Sequence, residues 1–328
     1  MGRVSETDRI RPRRRRPLRA ALGLAVLLAV IGYFAVQRDS TGGGPPSCTA
    51  GTTEAGGAVR TYTMTPEQAS NAATIAAVGI SKGLPDRAVT IALATAMQES
   101  ALRNLDHGDR DSLGLFQQRP SQGWGTPEQI MDPVYSAGIF YDRLAEIKGY
   151  TRLPLTVAAQ RVQLSGFPQA YAKHEPDATV LTASFGEVGA RATLSCSGPV
   201  PAPGSAERVS AELVRAFGKE ATPAARSTGG VGGAGAKSGA KAGAKTGAEV
   251  SLRFKRDGGT AEARRVRAMA HWAVARSQEL GISRVSYGAS GWVAGQDGGR
   301  WRPAADASGG GADPHAAAPD ELRIFLGG

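Results

Sequence analysis

The uncharged residues 20–36 follow directly on eight arginines between Arg3 and Arg19, and that pairing partitions the chain before any fold is considered. An apolar helix of ~17–25 residues is what a bilayer accepts. Arginines at its entrance stay on the cytoplasmic side. Residues 1–19 are therefore read as a basic cytoplasmic segment and 20–36 as a single-pass transmembrane anchor, with the bulk of the chain outside the cytoplasm. A cleaved leader is the competing reading, and it calls for small residues in an Ala-x-Ala arrangement after the core. Here the core ends Tyr33-Phe34-Ala35-Val36-Gln37-Arg38, and the arginines lack the Phe-Leu that follows a twin-arginine signal. The anchor is favoured. Only Glu6 and Asp8 oppose the arginines, so this short segment holds more than half of the net charge of +10. The basic balance is a topology signal and not the footprint of a nucleic-acid binder.

An outer compartment lets disulfides persist. The chain has two cysteines, Cys48 and Cys196, and an exported chain with only two is better read as bridged than as carrying two free thiols. A bond between them would close a loop of nearly 150 residues, worth up to about 5 kcal/mol in the chain-entropy model. It is expected to tie together the ends of the unit it brackets and to leave the rest of the chain unaffected.

Residues 37–64 read as a stalk, rich at their start in Gly, Thr, Ser and Pro. Thr65-Pro66-Glu67-Gln68 is a capping box with proline at the first helical position, so a helix is predicted from there to near Gly83. Asp86 is expected to cap a second helix, whose Val89, Leu93, Ala96 and Met97 form one apolar stripe. Thr126-Pro127-Glu128-Gln129 and Asp132-Pro133 repeat the start signal. Thr156 is expected to cap a short helix, and another is predicted near 176–185. No strand alternation stands out between 65 and 196, so residues 65–196 are read as one mainly helical unit.

The composition then shifts. Residues 197–249 read as a Pro-rich spacer, a short helix at 205–217 and a disordered Gly/Ala/Lys linker. Residues 250–328 read as a small α+β unit: one helix over 260–280, strands at 282–287 and 322–326, and Trp292 and Trp301 in turns between them.

Two motifs carry the chemistry. Met97-Gln98-Glu99-Ser100 puts a glutamate at the end of an amphipathic helix, and Asp111-Ser112-Leu113-Gly114-Leu115-Phe116-Gln117-Gln118 supplies a glycine-containing, polar turn just after it. A carboxyl at the edge of an apolar stripe can have its pKa raised by burial, which a general acid requires. Taken alone, Glu99 reads as an ordinary surface glutamate; the pairing with the turn makes it a candidate acid.

Glu99-Ser100 and Gly114-Leu115-Phe116-Gln117 resemble the Glu-Ser and Gly-Leu-Met-Gln signatures of soluble lytic transglycosylases and goose-type lysozymes, with Phe for Met. The flanking segments, 158–165 and 167–172, look like an actinobacterial type of that lysozyme-like superfamily, and the likeness covers about residues 65–190. It implies a mainly α lysozyme-like domain with Glu99 as catalytic acid. Ser112, Gly114, Gln117, Gln118 and Tyr171 would contact the substrate, and the implied partner is the glycan strand of peptidoglycan. No cofactor and no metal are implied. Where the family carries Ala-Tyr-Asn, this chain has Ala170-Tyr171-Ala172.

Hydrolysis needs a second carboxyl. Asp109 and Asp111 are candidates for it, and each also fits a turn residue. Transglycosylation needs only one carboxyl, which favours that route, while a wall-binding scaffold without catalysis is the alternative. The C-terminal unit faintly resembles zinc DD-carboxypeptidase-like domains, but Glu321 and Arg323 stand where that family has histidines. His271, on a helix beside Trp272, is read as a packed or surface histidine, and His315 lies in an Ala/Gly/Pro-rich loop, so a functional zinc site is not expected.

Overall fold

The computed structural model describes residues 45–327 apart from 55, 165–167, 187–191, 220, 222, 228–247, 256–258 and 304–314. The expected cytoplasmic segment, the anchor at 20–36, the first part of the stalk and most of the Gly/Ala/Lys linker lie outside the described residues. Among the described residues no helix is long and apolar enough to cross a membrane.

The stalk expectation fails from Ser47 onward. Strands β1 (Ser47–Thr53) and β2 (Val59–Met64) form an antiparallel hairpin. Further along the chain, β3 (Ala192–Ser197) pairs with the other edge of β1, giving the order β2-β1-β3. Ala192, Leu194 and Cys196 point inward while Thr193, Ser195 and Ser197 point outward. That alternation is genuine period-two patterning, but small residues carry it and its partner lies about 140 residues away, so the local pattern is faint. Cys48 and Cys196 face each other in register and are disulfide-bonded.

The capping boxes form as the sequence indicates. Thr65 accepts from the Gln68 amide and Gln68 returns the bond, starting α1 (Pro66–Ser81). Helix α2 (Asp86–Ser100) follows with Pro85 at its N-cap, so Asp86 is the first helical residue and makes no cap bond. Thr126 and Gln129 repeat the box at α3 (Pro127–Ile130), and Asp132 caps α4 (Pro133–Glu146) through the Val134 amide. Then come α5 (Leu155–Gln163), a 3-10 segment (Pro168–His174) and α6 (Glu175–Gly186). Pro154 precedes α5, which leaves Thr156 inside the helix and not at its cap. Helix α1 is buried from Ala69 to Ile80 almost all round, the mark of a central helix. Gly79 is required there. A Cβ would lie 2.7 Å from the Tyr141 hydroxyl, which donates to Ile75 O at 3.0 Å.

The C-terminal unit is part of the same core. Helix α7 (Ala206–Phe217), capped by Ser205, leads to β4 (Ala224–Ser227) and β5 (Ala248–Arg253). The helix expected over 260–280 breaks at Arg276 into α8 (Gly259–Ala275) and α9 (Ser277–Leu280). Strands β6 (Ile282–Tyr287), β7 (Ser290–Val293), β8 (Arg302–Pro303) and β9 (Glu321–Leu326) complete an antiparallel sheet of order β4-β5-β9-β6-β7-β8. Trp292 is therefore a buried strand residue and not a turn residue.

Residues 268–275 of α8 are all buried, because the helix lies between this sheet and helices α1 and α6. Arg264 binds Asp86 and Leu84 O, Arg276 reaches Glu212 at 2.8 Å, and the Trp301 indole donates to Leu194 O at 2.9 Å. The chain from Pro45 onward is one compact unit of mixed helix and antiparallel sheet. The disulfide consequently anchors a strand against which the C-terminal unit also packs.

Candidate active site

Glu99 stands on the last turn of α2, and the way that helix ends fixes its direction. Ala101 and Leu102 are both left-handed, with φ of 52° and 60°. Leu102 N bonds Ala96 O and Ala101 N bonds Met97 O, closing the helix in a left-handed C-cap. Glycine is the usual residue in that conformation, and each L-residue there costs about 1–2 kcal/mol. Two α1 side chains offset the cost: Gln68 Nε2 donates to Ala101 O at 2.9 Å and Asn71 Nδ2 to Leu102 O at 2.8 Å. Leu102 is itself fully buried.

The turn after it is fastened to the helix end. Ser100 Oγ donates to Leu115 O at 2.8 Å, so the Glu-Ser pair divides its work: the serine holds the loop and the glutamate faces the site. Leu115 and Phe116 are buried, with Phe116 stacked on Phe140 at 4.6 Å. Gly114 has φ +75°, and a Cβ would lie 2.7 Å from Ile130 O. Its N–H bonds Leu105 O, and Leu113 and Gln118 exchange backbone bonds across the turn.

Two residues converge on the carboxyl. The Tyr171 hydroxyl donates to Glu99 Oε1 at 2.6 Å. The Gln163 amide, whose Nε2 donates to Phe116 O at 2.7 Å, also hydrogen-bonds Glu99. Burial raises the carboxyl's pKa above the ordinary glutamate value, and the bonds from Tyr171 and Gln163 pull only part of the way back. The C-terminal end of α2 disfavours negative charge as well. None of these groups is a carboxylate. The arrangement holds one directed carboxyl whose protonated form is favoured more than an exposed glutamate's, and the two donors stabilise it once the proton has left.

The other expected contacts divide. Gln117 is half-buried with φ 47°, and its amide folds back on His107 O and Gly114 O, bracing its own loop. Ser112, Gln118 and Tyr171 are 6 %, 1 % and 0 % exposed. Gln118 Nε2 is spent on Ser136 O at 3.1 Å. All three are buried, and of them Tyr171 is bonded through its hydroxyl to Glu99. Asp111 accepts Arg119 Nε and the Ser121 amide, each at 2.8 Å, which holds its carboxyl far below the usual range; it is a turn anchor. Asp109 is exposed at the loop tip.

Gln163 and His174 were not singled out by the sequence. His174 Nε2 meets Gln98 Oε1 at 3.2 Å, and burial pushes its pKa down. The available signal for Gln163 was a glutamine on the buried side of a short helix eight residues before Tyr171.

In the C-terminal sheet, Arg323 forms a bidentate pair with buried Glu249 at 2.6 and 3.0 Å. A guanidinium cannot ligate a metal, so these residues do not fit a zinc ion. Among the described residues no group of three or more potential ligands comes together. His271 is buried against Ser184 O, its pKa pushed down to about 3 by burial, and His315 packs edge-on to Phe325. A comparison with models of known protein families finds no match, and none of the curated proteins matches the chain.

Proposed function

We propose that residues 65–190 form a lysozyme-like unit that cleaves the glycan strand of peptidoglycan by transglycosylation, on a chain anchored in the membrane by residues 20–36. The observation that carries this reading is the one partly buried carboxyl of this site, Glu99, raised in pKa by burial and oriented by Tyr171 and Gln163. In the proposed reaction, Glu99 gives its proton to the glycosidic oxygen as the bond from muramic-acid C1 to the glucosamine O4 breaks. The C6 hydroxyl of the same muramic acid then attacks C1, and its proton returns to Glu99. A 1,6-anhydro sugar leaves, no water is consumed, and no second carboxylate is needed. The two donors on Glu99 stabilise it in the interval when it is ionised.

Incubating the full-length chain in detergent with purified sacculi tests the reading. Anhydro-muropeptides from the wild type and none from Glu99→Gln are expected. Reducing-end products in their place would select hydrolysis, and no release would remove the enzymatic reading. A second reading, a groove that grips glycan without cutting, is favoured by Ala172 in the position of the family's asparagine. It predicts sacculus binding that Glu99→Gln leaves intact, together with no turnover by the wild type.

A further inference from the structure

The three-stranded sheet has two unlike faces. Cys48, Ala50, Leu194 and Cys196 point into the core. The alternate positions of all three strands carry mostly serine or threonine, among them Thr49, Thr61, Thr193 and Ser195. At the centre of this outer face is Gly51, in register with Thr61 on one side and Thr193 on the other. A Cβ there would lie 3.6 Å from Thr193 Oγ1 and 3.7 Å from Thr61 Cγ2, ordinary contact distances, and its φ is not in the left-handed region. Neither packing nor backbone demands glycine at the middle of a central strand, where it weakens the strand; such glycines often mark a close approach by a ligand.

What Gly51 does is leave a trough of about 400 Å³ along the sheet, within the range of about 300–1,000 Å³ of small-molecule sites. Arg300 stands on its lining, exposed and without an ion-pair partner among the described residues. The residues lining the trough include no carboxylate and no second cation. Each hydroxyl both donates and accepts, and adjacent strands repeat every ~4.8 Å. Such a grid suits a ligand studded with hydroxyls and amides. One guanidinium matches one carboxylate, whereas a nucleic acid calls for several cations.

We infer that this trough binds a carboxylate-bearing glycan, the peptidoglycan strand itself, giving the protein a second grip on the polymer. The identity of the polymer rests on the proposed cleavage; the ligand chemistry of the trough does not. The test is binding of the full-length chain in detergent to purified sacculi and to chitin, a neutral N-acetylated glycan, for Gly51→Val, Thr193→Val and Arg300→Gln. Each variant is expected to keep the wild-type melting temperature and to lose about tenfold in affinity for sacculi, as removal of one or two polar contacts implies. Chitin should bind more weakly and be indifferent to Arg300→Gln.

Wild-type affinity in folded Gly51→Val and Thr193→Val, or chitin held as tightly as sacculi, overturns the inference. Should Gly51→Val fail to fold, Thr193→Val and Arg300→Gln decide it. Cleavage without any effect of these substitutions on binding removes the trough alone. Trough-dependent binding without cleavage removes the enzymatic reading alone.

Discussion

The Tyr171 hydroxyl, on a fully buried side chain, donates a 2.6 Å hydrogen bond to Glu99 Oε1 across 72 residues of sequence. Shut off from solvent, it sets the direction of the carboxyl and favours its ionised form. Tyr171→Phe removes that donor. A hydrogen bond to a charged group is worth about 1.5–3 kcal/mol, so kcat on sacculi should fall at least about tenfold with KM little changed. The alkaline limb of the pH profile should also move upward, because a group that lowers the Glu99 pKa has gone. An unmoved limb would reduce Tyr171 to a packing residue.

Glu99→Gln should stabilise the protein as it silences it, and only at higher pH. Burial raises the folded pKa above the ordinary 4.5, so the folded state binds the proton more tightly than the unfolded one. The stability linked to that proton is fully present below the unfolded pKa and is lost as pH rises through the folded value. Glutamine cannot ionise and still accepts from Tyr171. Melting temperatures of variant and wild type should converge near pH 4 and separate in favour of the variant by pH 8. A gap independent of pH would contradict this.

Gly114→Ala should be costly. The left-handed backbone costs about 1–2 kcal/mol for an L-residue, and a Cβ 2.7 Å from Ile130 O forces the loop to shift, for a total of about 2–4 kcal/mol. Denaturant unfolding measures it. Activity should fall further than stability, since the same loop carries Leu115 O and Phe116 O, the anchors of Ser100 and Gln163. Retained activity would dissociate the loop from the site.

Reducing the Cys48–Cys196 bond should cost up to about 5 kcal/mol, given the 148 residues it spans, and lower the melting temperature on the order of 10 °C. Because Trp301 is bonded to Leu194 on the bridged strand, the C-terminal unit should melt together with the rest. Calorimetry with and without reductant distinguishes this from two transitions of which the later is unmoved.

Features that local bonds create can be read directly from the amino-acid order. Thr65 with Gln68 and Thr126 with Gln129 start helices through contacts three residues apart, and the placement of Glu99 at a helix end follows from the stripe before it. The pairing of the two cysteines was legible from their number together with the expectation of an outer compartment. Tertiary structure alone decided the rest. Tyr171 and Gln163 meet Glu99, and β1 meets β3, across tens to more than a hundred residues. Nothing local signals which distant partner will satisfy a buried polar group. That β1 is a strand and not a stalk depends on β3 lying beside it. That α8 belongs to the core depends on α1 and α6 covering its second face, since a helix buried all round is stable only between two partners.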